Sequence, residues 1–152
     1  MEFFGQMGMQ LALGLGAVGS ALGIGAAGRA AAGAWAKEGR AGKRLNFTYI
    51  LLVGMPLSQT IYGFILMLIG SRRIADNPEL LTAYAGTMLS IGLACGLGEL
   101  FSAWMQGVIG AAACRCISES EGKGLAFLII AMGIVETVGL FSFVFMLLVM
   151  PS

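Results

Sequence analysis

Residues 125–150 read LAFLIIAMGIVETVGLFSFVFMLLVM, and the one ionisable side chain in this run is Glu136. An apolar run of about 20 residues is long enough to cross a bilayer as a helix. Glu136 lies 11 residues after Leu125, which places it about 16 Å along such a helix, near the middle of the membrane. A charged acid at that depth costs roughly 2.5–3.5 kcal/mol. We therefore expect Glu136 to be protonated, cation-bound or paired.

Three further apolar runs occur, at about residues 5–35, 45–70 and 80–117. With 58% hydrophobic and only 11% charged residues, the chain lies outside the range of soluble globular domains. The pattern predicts an all-α integral membrane protein with four transmembrane helices, surrounded by membrane lipid. A net charge of +1, with no motif that reads DNA or RNA, gives no reason to expect a nucleic-acid partner.

The chain also repeats itself. GKRLNF (42–47) matches GKGLAF (122–127), and PLSQTIYGF (56–64) lies beside VETVGLFSF (135–143). This pattern indicates a duplicated helical hairpin, with a first hairpin at residues 1–79 and a second at 80–152. In the alignment Leu57 occupies the place of Glu136, so the first hairpin carries no membrane carboxylate.

The polar connections between the runs predict the orientation. Residues 37–44 hold four basic side chains, and the third connection has Lys123 with Arg115 just before it, whereas the middle one has only Arg72 and Arg73. Because Lys and Arg accumulate on the cytoplasmic side, connections one and three are expected there. Both termini then lie on the non-cytoplasmic side.

Small residues four apart in the first helix predict close helix packing. Gly19, Gly23, Ala27 and Ala31 form one row, and a second row runs Gly8, Ala12, Gly16, Ser20, Gly28, Ala32. Two such faces favour tight neighbours on more than one side. The simplest architecture is a homo-oligomeric ring with helices one and three inside, although the same glycines can instead pack a single chain internally.

Oxygen-bearing side chains occur at the depth of Glu136. Ser58, Gln59 and Tyr62 share one face of helix two, and Gln106 in helix three lies in the same layer. Pro56 removes one helix hydrogen bond nearby and disturbs the carbonyl of Leu52, which loosens the backbone where an ion could use carbonyl oxygens. A dehydrated hard cation needs several oxygen ligands, so Na⁺ is favoured as the ion held by Ser58, Gln59, Gln106 and Glu136. A proton carrier, in which the amides bond a protonated Glu136, stays open.

These motifs, PxSQxxYGF (56–64), FSxxxQG (101–107) and VET (135–137), resemble the proteolipid (c or K) subunit of V-type ATPases over nearly the whole chain. The similarity is greatest to bacterial sodium-translocating members, which implies a bacterial plasma membrane. The resemblance adds the backbone carbonyl of Met55 to the ligands and gives Tyr62, by a hydrogen bond to Glu136, and Thr137 supporting roles.

The resemblance also implies the partners. These are identical subunits in a ring, a stator membrane subunit whose arginine draws the ion off, and a central-stalk subunit on the cytoplasmic side. The chain is expected to be a non-catalytic subunit that needs no organic cofactor, with ATP turnover on other subunits. It has no GxxxxGK phosphate loop.

Two other functional classes remain open: a small secondary transporter and a purely structural assembly of four membrane helices, in which Glu136 would not be protected from carbodiimide. A small four-helix ion-coupled secondary transporter also uses one membrane glutamate, although its acid normally lies in helix one among aromatic residues. The role of Glu99 is also open. It lies seven residues before Gln106 and so on nearly the same face of helix three. It can be a protonated hydrogen-bonding group, a group facing the lumen of the ring, or an auxiliary relay for the ion.

Overall fold

The structure, a computed structural model, describes residues 2–151, and every regular element within them is helical. Four spans are long and apolar enough to cross a bilayer, namely α1, α2 together with α3, α5, and α6. The predicted set of four membrane helices is therefore confirmed. The helices are α1 (Glu2–Arg40), α2 (Thr48–Gly54), α3 (Ser58–Asp76), α4 (Leu80–Ala83), α5 (Ala85–Ser120) and α6 (Leu125–Leu148), with a 3-10 turn at Met55–Leu57.

The first two spans extend further than the apolar runs that predicted them. Helix α1 continues to Arg40, and α3 continues to Asp76, so much of the polar connections expected at 37–44 and 71–79 is helical. Hydropathy marks only the part of a helix that lies in hydrocarbon. Lys37 and Arg40 continue the helix because their side chains are good helix formers and favour its C-terminal end.

Pro56 interrupts the second span and gives it a local change of winding. Because proline has no N–H, the carbonyl of Leu52 loses its helical donor, and the chain tightens into the 3-10 turn at Met55–Leu57. The carbonyl of Leu52 faces Gly110 of α5, where a Cβ would lie 3.1 Å from that oxygen. The N–H of Ser58 donates to the carbonyl of Met55 and begins α3.

Helices α1 and α5 pack most closely, and glycines make this possible. A Cβ at Gly92 would collide with the carbonyl of Gly8, and a Cβ at Gly107 would collide with the backbone of Gly23. The backbones therefore touch directly along both halves of this contact. Close backbone approach of this kind is the usual source of helix association in lipid, where apolar burial contributes little.

Both small-residue rows of α1 are used inside the chain. The row Gly19, Gly23, Ala27 and Ala31 is buried throughout, and its two glycines pack on the backbones of Leu100 and Ala103 in α5. The second row is buried from Gly8 to Ser20, half-buried at Gly28 and exposed at Ala32. There the carbonyl of Ala12 lies against Gly63 of α3. Helix α1 thus has tight neighbours on two sides, as predicted, and both belong to its own chain.

Helix α6 is the most peripheral span. Only 11% of its most apolar window is buried, against 44% for α5. Its exposed side chains recur at helical spacing, and so cover one continuous apolar face. That face suits lipid or a neighbouring subunit. It comprises Phe127, Ile130, Ile134, Val138, Phe141, Phe145 and Leu148.

Polar contacts tie the two halves together at each end of the bundle. At one end, Lys43 in the first connection forms a 3.1 Å ion pair with Glu121 in the third. At the other end, one guanidinium nitrogen of Arg73 donates to the carbonyls of Met150 at 2.8 Å and Pro151 at 3.0 Å. Connections one and three therefore share a side, opposite the C-terminal end of α6.

Candidate ion-binding site

Glu136 lies halfway along α6 as a half-buried carboxylate that faces α3 and α5. The hydroxyl of Tyr62 donates to its Oε1 at 3.3 Å, and Nε2 of Gln106 donates to its Oε2 at 3.2 Å. Glu136 therefore has one side-chain partner on each of two neighbouring helices, α3 and α5.

Two glutamines without exposed surface carry the polar contact deeper between the helices. Nε2 of Gln59 donates to Oε1 of Gln106 at 3.1 Å, and Nε2 of Gln106 also donates to the carbonyl of Met132 at 3.3 Å. Buried amides are costly unless their donors and acceptors find partners. Oε1 of Gln106 finds its donor in Gln59, and the further bonds of both amides hold the two side chains in one orientation.

The 3-10 turn places the remaining predicted oxygens beside Gln59. Oγ of Ser58 lies 3.1 Å from Oε1 of Gln59 and 3.3 Å from the carbonyl of Met55, within donating distance of both. Helical spacing brings Tyr62 onto this same face, one turn further along. Its ring stacks on Phe143 of α6 with 5.9 Å between the ring centroids, which positions the hydroxyl at Glu136.

Ser102 belongs to this cluster although it was not predicted as a site residue. Its Oγ accepts from Nε2 of Gln59 at 3.1 Å and donates to the carbonyl of Val135 at 2.8 Å. The hydroxyl thereby joins α3 to the α6 backbone next to Glu136. Its position four residues before Gln106, on the same face of α5, was the sequence signal that could have identified it.

Two residues that the sequence analysis related to the site, Thr137 and Leu57, lie outside it. Thr137 is exposed, and its hydroxyl donates to the carbonyl of Ile134 at 2.6 Å, one turn back on its own helix. Leu57, the counterpart of Glu136, is 51% exposed on the outer side of the 3-10 turn. The structure therefore brings together Met55, Ser58, Gln59, Tyr62, Gln106 and Glu136, but neither of these two.

Glu99 is also separate from the hydrogen bonds at Glu136. Its side chain has no exposed surface, because α1 and α6 cover it on either side of α5. The expectation that it faces the lumen of a ring is therefore wrong, since a lumen-facing group would be open on the single chain. The seven-residue spacing correctly places Glu99 on the face of α5 that carries Gln106. Hydropathy does not reveal that α1 and α6 pack over this face.

The cluster offers one negative charge together with several neutral oxygens. Within residues 2–151 no three His, Cys, Asp or Glu side chains come together as a metal site. One carboxylate balances a single positive charge, so the arrangement suits a monovalent cation. Carboxylate, amide and hydroxyl oxygens are ligands for hard cations, and the same carboxylate alone suffices for a proton.

Two stretches of the chain, residues 7–69 and 89–149, match the family model of the ATP synthase c-subunit. Together they cover most of the chain and one stretch falls in each half. No curated protein shows a significant match. This family is distinct from the small secondary transporters, so the comparison gives that alternative no support.

Members of this family are non-catalytic, and they assemble from helical hairpins into oligomeric rings in the membrane. The ring carries ions and rotates against stator and stalk partners of the ATP synthase. Four membrane-length helices and a single carboxylate at mid-membrane depth agree with that role. This chain therefore belongs to the ATP synthase c-subunit family, as an integral membrane component of an ion-carrying rotor ring.

Proposed function

We propose that this chain is the c or K subunit of a V-type rotor ring and that it carries Na⁺. The main support is the cluster of polar side chains next to Glu136, which is larger than a proton requires. Nε2 of Gln106 contacts the carboxylate, and its Oε1 lies with the oxygens of Ser58 and Gln59 in the adjoining hydrogen bonds. The carbonyl of Met55, which lies 3.3 Å from Oγ of Ser58 at the 3-10 turn, completes the proposed ligand set.

Transport would follow from the charge of Glu136. A bound Na⁺ neutralises the carboxylate, so that the loaded site passes through lipid without the cost of a bare charge. The empty, charged site is held beside an arginine of the stator subunit, which draws the ion off. Moving one elementary charge across 100 mV requires about 2.3 kcal/mol, so each ATP drives several ions. Rotation of the ring couples ATP turnover to ion movement.

The duplication supports a V-type assignment within the family. Each chain has two hairpins but only one carboxylate at the aligned position, because Leu57 stands in the first hairpin where Glu136 stands in the second. Relative to an undoubled hairpin, a ring of such chains carries half the charge per helix pair. We place residues 1–79 in the hairpin without an acid and residues 80–152 in the hairpin with Glu136, and α1 and α5 on the inside of the ring.

We further propose that connections one and three face the cytoplasm of a bacterial cell and contact the central stalk. Their basic residues favour that side. The Lys43–Glu121 ion pair and a cleft of about 440 Å³ between the two connections give them a shared surface. The termini would then lie on the non-cytoplasmic side of the plasma membrane.

Carbodiimide labelling of purified rings tests the proposal, because the reagent attacks protonated carboxyls in apolar surroundings. With Na⁺ at Glu136 the carboxylate is neither protonated nor accessible. We expect millimolar Na⁺ at fixed pH to protect Glu136, measured by mass spectrometry of the labelled peptide, and equal K⁺ to protect it far less. Protection by alkaline pH alone, with no effect of Na⁺, would assign the ring to protons.

A further inference from the structure

A second carboxyl group, Glu99, lies in the membrane part of the chain and takes no part in the site described above. It has no exposed surface, and among residues 2–151 its Oε2 has no hydrogen-bond partner. Its other oxygen, Oε1, is approached only by the thiol of Cys95, at 4.0 Å. A buried polar atom without a partner is uncommon in folded proteins and requires an explanation.

The unpartnered oxygen points into a notch left by Gly139 on α6. A Cβ at Gly139 would lie 2.7 Å from Oε2 of Glu99 and 3.0 Å from Oγ of Ser102. The carboxyl and the hydroxyl therefore converge on the same small space. Glycine is required there, because any side chain would occupy the volume that these two polar groups share. On the other side, Gly16 of α1 lets that helix approach the Cβ of Glu99.

This environment decides which cation Glu99 can hold. An isolated carboxylate in an apolar interior is far too costly to remain charged. No Lys or Arg of residues 2–151 forms an ion pair with it. A dehydrated metal cation would need several oxygens, whereas the groups around this carboxyl are one hydroxyl and one thiol. A proton needs a single oxygen.

We propose that Glu99 binds a proton permanently and that a small rotation of its carboxyl group in the Gly139 notch lets its O–H donate to Ser102, which makes Glu99 a positioning residue for the ion site. The hydroxyl of Ser102 already accepts from Gln59 and donates to the carbonyl of Val135. A hydroxyl has two acceptor lone pairs, so one remains for a donor in the Gly139 notch. A neutral acid is that donor, and a carboxylate is not.

The consequence reaches Glu136 through Ser102. With the third bond in place, every donor and acceptor position of the Ser102 hydroxyl is filled, and its orientation is fixed. That orientation holds Gln59, which in turn holds Gln106 against the carboxylate of Glu136. The inference does not depend on whether the ring carries Na⁺ or protons, since Glu99 keeps its proton while Glu136 exchanges its ion.

Infrared spectroscopy of purified rings at neutral pH tests the protonation of Glu99. The wild-type minus Glu99→Gln difference should contain the C=O stretch of a protonated carboxyl, unchanged by Na⁺. The matched control is Glu119→Gln, which removes an exposed acid from the same helix; its difference should contain carboxylate bands instead. Carboxylate bands in the Glu99 difference, with or without Na⁺, would overturn the proposal.

Ion affinity tests the positioning role. The readout is the Na⁺ concentration, or for a proton ring the pH, at half-maximal carbodiimide labelling of Glu136. Glu99→Gln keeps a neutral donor and should change the ion affinity by less than about threefold. Glu99→Leu removes the donor and should weaken ion binding roughly tenfold. Loss of ion protection in Glu99→Gln, or no change in Glu99→Leu, would overturn the role. If Glu99→Leu rings do not assemble, Glu99→Gln and the infrared bands decide.

Discussion

The two hairpins of this chain share a pattern but contribute different chemistry. In the second, α6 is unbroken and carries Glu136, which accepts bonds from two side chains. In the first, the corresponding span is broken at Pro56, and Leu57 at the matching position is 51% exposed. Yet Tyr62, which donates to Glu136, comes from the first hairpin. The second hairpin supplies the charge and Gln106, and the first supplies the neutral partners Gln59 and Tyr62.

This division makes the whole chain, and not the hairpin, the unit that binds an ion. The break at Pro56 is compatible with it, because the 3-10 turn brings the carbonyl of Met55 and the hydroxyl of Ser58 together beside Gln59. A second acid would also have added another charge to be neutralised on each passage through lipid. The apolar residue at position 57 and the neutral polar side chains of the first hairpin are thus complementary features of the chain.

The largest expected effect comes from removing the one charge. We predict that Glu136→Gln abolishes ATP-driven ion uptake by proteoliposomes that contain the complete ATPase, since an amide cannot alternate between a charged and a neutralised state. Ring assembly should persist, because the substitution keeps the size and hydrogen-bonding capacity of the side chain. Normal uptake by this variant would refute the assignment of Glu136.

Moving the acid sharpens the comparison. The double variant Leu57→Glu with Glu136→Gln keeps one acid per chain but places it in the first hairpin. We predict that uptake stays lost, because the donors Tyr62 and Gln106 face position 136 and not the exposed side of the 3-10 turn. Recovery of uptake would show that the hairpins are interchangeable and that the neutral partners are dispensable.

The sequence was most informative where hydrocarbon constrains it. The depth of Glu136 and the shared face of Ser58, Gln59 and Tyr62 follow from helix geometry, and the structure places these side chains together. Thr137 was expected from the resemblance alone, but adjacent residues on a helix differ in direction by about 100°, so it does not share the inward face of Glu136. Ser102 was missed for a related reason. Its hydroxyl matters through a backbone carbonyl on another helix, and carbonyls carry no sequence signal.

A smaller effect is expected from one neutral partner. Gln106→Leu removes an oxygen from the site and a donor from Glu136, and it leaves a buried amide of Gln59 with one partner fewer. An unsatisfied buried group costs about 1–3 kcal/mol, so ion affinity should fall roughly ten- to a hundredfold. The measurement is the Na⁺ concentration that half-protects Glu136 from carbodiimide. Gln10→Leu, at an exposed glutamine of α1, is the control and should leave this concentration unchanged.

The smallest effect compares two hydroxyls that lie two residues apart on α3. The hydroxyl of Tyr62 bonds to Glu136 at 3.3 Å, whereas that of Thr60 bonds to Ser20 of α1 at 2.8 Å, within the first hairpin. Tyr62→Phe should weaken ion binding about fivefold, for a lost bond of about 1 kcal/mol. Thr60→Val should change it less than twofold by the same protection assay, although its bond is shorter. Equal effects would mean that general destabilisation of α3, and not contact with the carboxylate, sets the affinity of the site.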